Sequence, residues 1–310
     1  MGFAFLFPGQ GSQFVGMGAD VFREYSLARE TYEEACGILD FDLEKVSFEG
    51  PEDVLRQTRI TQPAIFVHSM ALVKLLKERG FAPEIVAGHS LGEYSALVVA
   101  GAFSFADGLR LVKLRGALMQ KAGQVEPGTM AAVIGLSPDQ VEGICHEAES
   151  AGVVVPANYN APGQIAISGS ASGVKRAMEL ARDAGAKRVI ELVVSGAFHS
   201  PLMAAATEEL AGALQEIEIS KPVCPVVPNV TASPTSSRSE IRELLVKQLT
   251  HPVRWVETVQ NMISMGFSDF VEIGPGKVLS GLLRRIDRTG SCFAVGGMAD
   301  LEKIRNKLVI

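Results

Sequence analysis

The sequence is poor in features that define several protein classes. Its four cysteines, Cys36, Cys145, Cys224 and Cys292, stand far apart in 310 residues and form no CxxC pair. That spacing gives neither a disulfide framework nor a zinc motif, and it suits a reducing compartment. Basic residues are not in excess: 29 Lys and Arg face 35 Asp and Glu, a net charge of −6. Proteins that grip a phosphate backbone normally carry a basic surplus, so nucleic acid is disfavoured as a partner. Mean hydropathy is high, +0.21, yet no apolar run approaches the ~18 residues that span a bilayer. The richest stretch, Ala96 to Phe103, is short and contains Gly101. The start, Met1-Gly2-Phe3-Ala4-Phe5-Leu6, lacks the basic and long apolar regions of a signal peptide, and Leu6 stands where myristoylation needs Ser or Thr. These absences predict a cytoplasmic protein without membrane contact. There is no internal repeat and no low-complexity segment. What remains is an ordinary globular composition, 47% hydrophobic and 21% charged, with enough apolar mass for a sizeable core. At ~100–200 residues per domain, the length fits two domains, or one with an insertion.

The hydrophobic pattern alternates strands with helices. Phe3 to Phe7 reads as a buried strand entering the Gly-rich loop Gly9-Gln10-Gly11-Ser12-Gln13. Helical stretches follow at Met17 to Cys36 and Thr61 to Arg79, a strand at Glu84 to Gly88, then helices at Gly92 to Ala100 and Ala106 to Ala122. The rhythm then changes. Met130 to Leu136 reads as a strand, and Ser137-Pro138-Asp139-Gln140 starts a helix running to about Ser150, with Ser at N-cap, Pro at N1 and Gln at N3. Strands Val153 to Asn158 and Gln164 to Ser168, a helix Ser172 to Ala184 and a strand Ala186 to Val194 complete a β-α-β-β-α-β unit. That order predicts a ferredoxin-like subdomain over residues 126–195, inserted into a larger domain of residues 1–125 and 196–310. Afterwards come helices at Pro201 to Ile217, Ser239 to Leu249, Trp255 to Met265 and Lys277 to Ile286, with strands at Phe270 to Ile273 and Cys292 to Val295. Val223 to Val230 is strand-like but broken by Pro225 and Pro228, and Ala232 to Ser239 reads as a surface loop. The alternation implies a mostly parallel α/β sheet.

Gly88-His89-Ser90-Leu91-Gly92 fits G-x-S-x-G between a strand and a helix, the context the motif demands. A tight strand-to-helix turn presents the Ser90 hydroxyl at a helix N-terminus. There the Leu91 amide and the helix dipole favour a developing oxyanion. The plain alternative is a Gly-rich turn. A serine nucleophile needs a base, and five histidines are available. His68 and His146 sit inside helices, and His89 adjoins Ser90 at a sharp turn where neighbours diverge. His199 lies in the strand-to-helix loop Gly196-Ala197-Phe198-His199-Ser200-Pro201, the kind of place where α/β catalytic groups collect. His251, in Thr250-His251-Pro252, is the rival, and spacing alone does not separate the two.

Seven segments occur together in order. They are Phe7-Pro8-Gly9-Gln10-Gly11-Ser12-Gln13, Gly88-His89-Ser90-Leu91-Gly92-Glu93-Tyr94, Arg115-Gly116, Asn158-Tyr159-Asn160-Ala161-Pro162-Gly163-Gln164, Gly196-Ala197-Phe198-His199-Ser200, Pro252-Val253-Arg254-Trp255 and Val271-Glu272-Ile273-Gly274-Pro275-Gly276. Nearly end to end, the chain resembles the malonyl-CoA:acyl carrier protein transacylases of type II fatty acid synthesis, and also the acyltransferase domains of modular synthases. The resemblance implies an α/β-hydrolase-like large domain with a ferredoxin-like insertion. It implies Ser90 as nucleophile, His199 as general base, Gln10 and the Leu91 amide at the oxyanion hole, Arg115 on the malonate carboxylate, and Gln248 orienting His199 through its backbone carbonyl. It implies a Ser–His dyad, no metal and no other cofactor, and transfer of malonyl from malonyl-CoA to the carrier's pantetheine thiol. Phe198 resembles the malonyl-selective form of the family.

Chemistry makes sense of Arg115, because a malonyl carboxylate buried without a partner is very costly and a guanidinium matches its geometry. Spacing alone reads Arg115 as a solvated helix residue. Met119, one turn further on, is either a wall of the substrate pocket or a core methionine. Asn160 either lines the cleft or serves the turn before Pro162. Acyl carrier proteins are acidic, so docking on this acidic chain needs a local basic patch. Lys277, Arg284, Arg285 and Arg288, or Lys187 and Arg188, are the candidates, and a solvated charged face is the competing reading. Three other functions compete with this reading. A serine hydrolase or thioesterase shares G-x-S-x-G but brings an acidic third member. A nucleotide-binding module is disfavoured, since neither Gly-rich loop matches a phosphate-binding motif. A non-catalytic scaffold is the third. Malonyl transfer for polyketide assembly stays open beside fatty acid synthesis.

Overall fold

The computed structural model describes residues 2–305. The chain begins with β1 (Phe3–Phe7), whose residues from Ala4 onward are all buried. Helices α1 (Ala19–Glu24), α2 (Ser26–Cys36), α3 (Leu43–Phe48) and α4 (Glu52–Leu55) lead to the long α5 (Thr58–Glu78). Then follow β2 (Pro83–Gly88), α6 (Gly92–Val99), α7 (Phe105–Val125) and the alternating segment β3 (Gly128–Ile134), α8 (Pro138–Ala148), β4 (Val154–Ala161), β5 (Gln164–Ser170), α9 (Ala171–Asp183) and β6 (Arg188–Leu192). The rest is α10 (Thr207–Glu216), β7 (Val226–Val227), α11 (Arg238–Lys247), α12 (Trp255–Ser264), β8 (Asp269–Ile273), α13 (Val278–Ile286), β9 (Ser291–Val295) and α14 (Met298–Arg305).

Two sheets result. Strands β7-β2-β1-β8-β9 form a parallel sheet. The continuous apolar run of β1 suits a strand covered on both faces. Residues of α2, α5, α6 and α7 pack in the core on one side, and Trp255, Val259 and Met262 of α12 with Leu279, Leu282 and Leu283 of α13 form a second cluster with Ala4, Leu6, Ile85 and Ala87. Strands β4-β5-β3-β6 form a separate antiparallel sheet in ferredoxin-like order. Val141 and Ile144 of α8 and Val174 and Ala177 of α9 cover one face, whereas Met130 and Ala166 join the main core. The parallel α/β sheet and the ferredoxin-like unit expected from pattern are both present, in the α/β-hydrolase-like arrangement that the resemblance implies. Ser137 and Gln140 form the capping box that the sequence announces for α8.

Several boundaries differ from expectation. Tyr25 adopts an extended conformation (φ −116°, ψ 125°) and divides the single helix expected at Met17 to Cys36 into α1 and α2. The segment after Ser200 starts as a 3-10 helix, Pro201–Ala206, before α10. Pro225 and Pro228 remove ladder donors, so only Val226 and Val227 are strand. Ala232 to Ser239 is not simply surface: Ala232 is fully buried and Thr235 pairs with Val226. The short α3 and α4, and α14, had no clear periodic signal.

A buried histidine ties α5 to its surroundings. His68 Nε2–H donates to the Gly296 carbonyl at 3.0 Å, which leaves Nδ1 to accept from the Tyr32 hydroxyl at 3.4 Å. Burial lowers its pKa from 6.5 to about 4, so the ring is neutral in the fold. A group with a depressed folded pKa contributes stability that is complete above the unfolded value and lost as pH falls toward the folded one. Between pH ~6.5 and ~5, wild type is expected to lose about 2 kcal/mol more stability than His68→Gln, measured by denaturant titration. Equal losses in the two proteins would contradict the neutral, buried ring.

Candidate active site

The site forms beyond the carboxyl ends of β1 and β2, where open α/β sheets place their ligands. β2 ends at Gly88, and Ser90 takes a left-handed backbone conformation with φ 51°. Such strain in a non-glycine residue persists only where its surroundings enforce it. A Cβ on Gly88 would lie 1.9 Å from the Gly92 carbonyl carbon, and one on Gly92 would lie 2.0 Å from the Phe7 oxygen. Only glycine permits so tight a turn. Asn229, just past β7, staples it. Its Oδ1 accepts the Ser90 N–H at 2.7 Å, and its Nδ2 donates to the Gly88 carbonyl at 2.6 Å. Leu91 is fully buried at the N-terminal boundary of α6, which sets its amide beside the serine. His89 turns away: its Nε2 meets Asn160 Oδ1 at 2.8 Å and its ring packs on Trp255.

His199, in the loop after β6, also has positive φ (58°). Its Nε2 lies 2.8 Å from Ser90 Oγ. Nδ1 faces the backbone carbonyls of Gln248 at 2.8 Å and His251 at 3.2 Å. Carbonyls only accept, so Nδ1 carries the proton and Nε2 offers its lone pair to the Ser90 hydroxyl. Burial first, and the Arg115 charge second, lower the His199 pKa to about 3. The ring is thus unprotonated and ready to take a proton. The rival, His251, is exposed, with its ring on the Lys247 carbonyl. It reaches the site only through its backbone oxygen.

Arg115 arrives from α7 and is completely buried. Its Nη1 donates to Gln62 Oε1 at 2.8 Å, and its Nη2 to Ser90 Oγ at 3.1 Å and Gln248 Oε1 at 2.9 Å. The guanidinium lies 5.5 Å from the Tyr94 ring centroid. Its Nε has no hydrogen-bond partner among the described residues. Among those residues, no carboxylate lies within ion-pair distance of it. Burial lowers its pKa, the expected penalty on an unneutralised cation. A buried cation with only neutral hydrogen-bond partners, 3.1 Å from a serine hydroxyl, has the charge and the donors to receive an anionic group beside that hydroxyl.

The other residues expected at the site are placed as follows. Gln10 is exposed in the turn three residues beyond β1, with Nε2 on Thr58 Oγ1 at 3.3 Å and Oε1 accepting from Gln62 Nε2 at 2.9 Å. Gln62 therefore connects Gln10 to Arg115. Gln248 is buried, and its side chain bridges Arg115, the Ser90 carbonyl at 3.1 Å and Glu93 Oε2 at 2.7 Å. Met119 is buried, its sulfur accepting from Gln62 Nε2 at 3.3 Å. Asn160 stands on β4 against His89, not in the turn. Phe198 is buried beside His199. Of the basic candidates, Lys277, Arg284, Arg285, Arg288, Lys187 and Arg188 are all exposed. Arg285 hydrogen-bonds Gln164 on β5. Gln164 and Arg188 both register with Ile134 of β3, which puts Arg188 two strands away on the same sheet face.

Four groups escaped the sequence reading: Gln62, Glu93, Tyr94 and Asn229. Gln62 carried a signal, a polar residue among the apolar positions of the buried α5. Asn229 carried none, because its function depends on a contact 139 residues away in sequence.

Comparison with known proteins gives the family. The chain is 44% identical over 309 residues to the malonyl CoA-acyl carrier protein transacylase of Haemophilus influenzae, covering 99% of each chain. It is 46% identical over 294 residues to the protein of that name from Escherichia coli K12, covering 94% of this chain and 95% of the relative. A malonyl-transacylase solved in complex with its type II PKS acyl-carrier protein superposes with a TM-score of 0.96 at 43% identity, covering 99% of this chain and 100% of that one. The transacylase structure from Streptococcus pneumoniae gives 0.94 at 45%, covering 98% and 99%. The family described as "Acyl transferase domain" matches residues 4–299. With relatives of this identity matching over nearly its whole length, the chain belongs to the acyl transferase domain family.

Proposed function

We propose that this protein transfers the malonyl group of malonyl-CoA to the phosphopantetheine thiol of an acyl carrier protein, through a malonyl-Ser90 ester. The observation that carries the reading is the buried, acid-free Arg115 at 3.1 Å from a serine hydroxyl that is itself 2.8 Å from His199 Nε2. The relatives' names supply the donor and acceptor. The serine oxygen attacks the thioester carbon while Nε2 of His199 takes its proton. The oxyanion forms at the Leu91 amide, with Gln10 at its rim. The tetrahedral intermediate collapses, the C–S bond breaks, and the imidazolium protonates the departing CoA thiolate. In the second half the carrier thiol gives its proton to His199, attacks the ester, and Ser90 Oγ recovers the proton. A hydrolase would be expected to set a carboxylate on His199 Nδ1, where two carbonyls stand instead. The large body of residues 1–125 and 196–310 supplies the chemistry, and the unit of residues 126–195 forms the second wall. Met119 and Phe198 bound the acyl site, and Asn160 acts through His89. The product serves fatty acid synthesis. All four cysteines are free, which supports a cytoplasmic setting; among the described residues no helix is long and apolar enough to cross a membrane.

The test is a panel of malonyl-, methylmalonyl- and acetyl-CoA, each scored for transfer to a carrier protein. Malonyl transfer should dominate; preferential acetyl transfer, or release of free malonate without transfer, would overturn the reading.

The carrier docks on exposed cations at the rim. Arg284 and Arg285 of α13, with Arg188 across the sheet face, form the favoured patch, joined by Lys277, Arg288 and Lys187. Reversing Arg284 and Arg285 to Glu should raise the carrier KM about tenfold, as expected from losing a few rim charges. The KM for malonyl-CoA should stay unchanged; equal effects on both would refute the patch.

A further inference from the structure

The mechanism above gives no part to Glu93, a buried acid beside the site. Glu93 lies in the first turn of α6, three residues after Ser90, and is 2% exposed. Its Oε2 accepts the Asn229 backbone N–H at 2.9 Å and the Gln248 Nε2–H at 2.7 Å. Those two residues in turn hold the reacting groups. Asn229 fixes the Ser90 N–H, the Gln248 carbonyl fixes His199, and Gln248 Oε1 accepts from Arg115.

A side-chain amide can sit either way round. An ionised carboxylate only accepts, so it selects the orientation in which Gln248 Nε2 points to Glu93 and Oε1 to Arg115. Without an acceptor at residue 93, a turned amide would aim its NH2 at the guanidinium, donor against donor. The interposed amide also separates the two charges. A carboxylate in direct contact would occupy the fork that the substrate needs.

We infer that Glu93 is a positioning residue that, through Gln248, holds the Arg115 guanidinium in place with no acid in direct contact, and so makes the site select acyl groups bearing a free carboxylate. This rests on the transfer reaction proposed above. Glu93 is faced by Arg115 from α7, by Tyr94 on its own helix and, beyond Gln248, by the His199 ring. Burial is the largest influence and raises its carboxyl to about 7; bonds from Asn229 and Gln248 and the Arg115 charge oppose it. Glu93 therefore titrates near neutrality, whereas His199, at about 3, does not.

The experiment compares malonyl-CoA with acetyl-CoA on wild type and Glu93→Gln, using a pantetheine thiol as acceptor, from pH ~6 to ~8. The two donors share the phosphates of CoA, so the ratio of their kcat/KM values isolates the carboxylate. Glu93→Gln keeps an oxygen for both donors and removes the charge. In wild type the malonyl-to-acetyl ratio should rise about tenfold across this range, the size of a one-unit pKa difference. In the variant the ratio should be flat and at its low-pH value, through a higher KM for malonyl-CoA. A variant ratio equal to wild type at every pH overturns the inference. So does a flat ratio in wild type, a result that needs no variant to fold. Failure of the underlying reading shows differently: wild type then forms no malonyl thioester, and the inference falls with it.

Discussion

Arg115→Ala is expected to lower kcat/KM for malonyl-CoA by about 30-fold to several thousandfold while sparing acetyl-CoA. The range follows from the roughly 2–5 kcal/mol lost when one partner of a desolvated, hydrogen-bonded charge pair is truncated. The reason lies in the burial of the guanidinium. In the free protein its hydrogen bonds go to Gln62, Gln248 and Ser90, all neutral. A malonyl carboxylate entering without it would be an isolated charge in a desolvated site. Acetyl carries no such charge and loses only packing. Arg115→Lys should recover part of the rate, since an ammonium restores charge without the two-pronged fork. The measurement is the acyl-CoA panel run on both variants; equal losses for malonyl and acetyl would show that Arg115 supports the fold and does not select the substrate.

Ser90→Ala is expected to lower malonyl transfer by at least about 10⁴-fold, comparable to removing the nucleophile of a serine enzyme. The substitution removes only the oxygen that meets His199 and Arg115. The backbone bond from Ser90 N–H to Asn229 does not involve the side chain, and the Gly88 to Gly92 turn is set by glycines. Alanine meets the same left-handed strain that serine meets at φ 51°. The thermal midpoint should therefore stay within a few degrees of wild type, equivalent to a stability change of no more than about 1 kcal/mol. Loss of transfer with an intact fold separates a missing nucleophile from a collapsed site.

Features written in local sequence were readable before the structure. Alternating apolar segments announced both sheets, Ser137 and Gln140 announced the cap of α8, and two glycines around Ser90 announced a sharp turn at a helix start. The choice between His199 and His251 was not local. It depends on which loop the fold brings to Ser90, and His251 takes part only through its carbonyl. Arg115 looked like any helix-surface arginine until α7 packed against α5 and buried it. The contacts of Glu93 and Asn229 could not be read for a related reason. Their value lies in contacts across long sequence separations, and a carboxylate at residue 93 or an amide at residue 229 has no periodicity to betray it. Where proline broke the pattern, at Pro225 and Pro228, the strand was correctly doubtful, but the neighbouring buried turn at Ala232 was not foreseen.

The central claim is a malonyl ester on Ser90. The direct measurement is the intact mass of the protein after incubation with malonyl-CoA and no thiol acceptor, followed by peptide mapping. Wild type should gain the mass of one malonyl group on the peptide containing Ser90, and a pantetheine thiol should remove it. Ser90→Ala should gain nothing. Stable labelling of Ser90→Ala, or a label on wild type mapped to any other residue, would contradict the assignment.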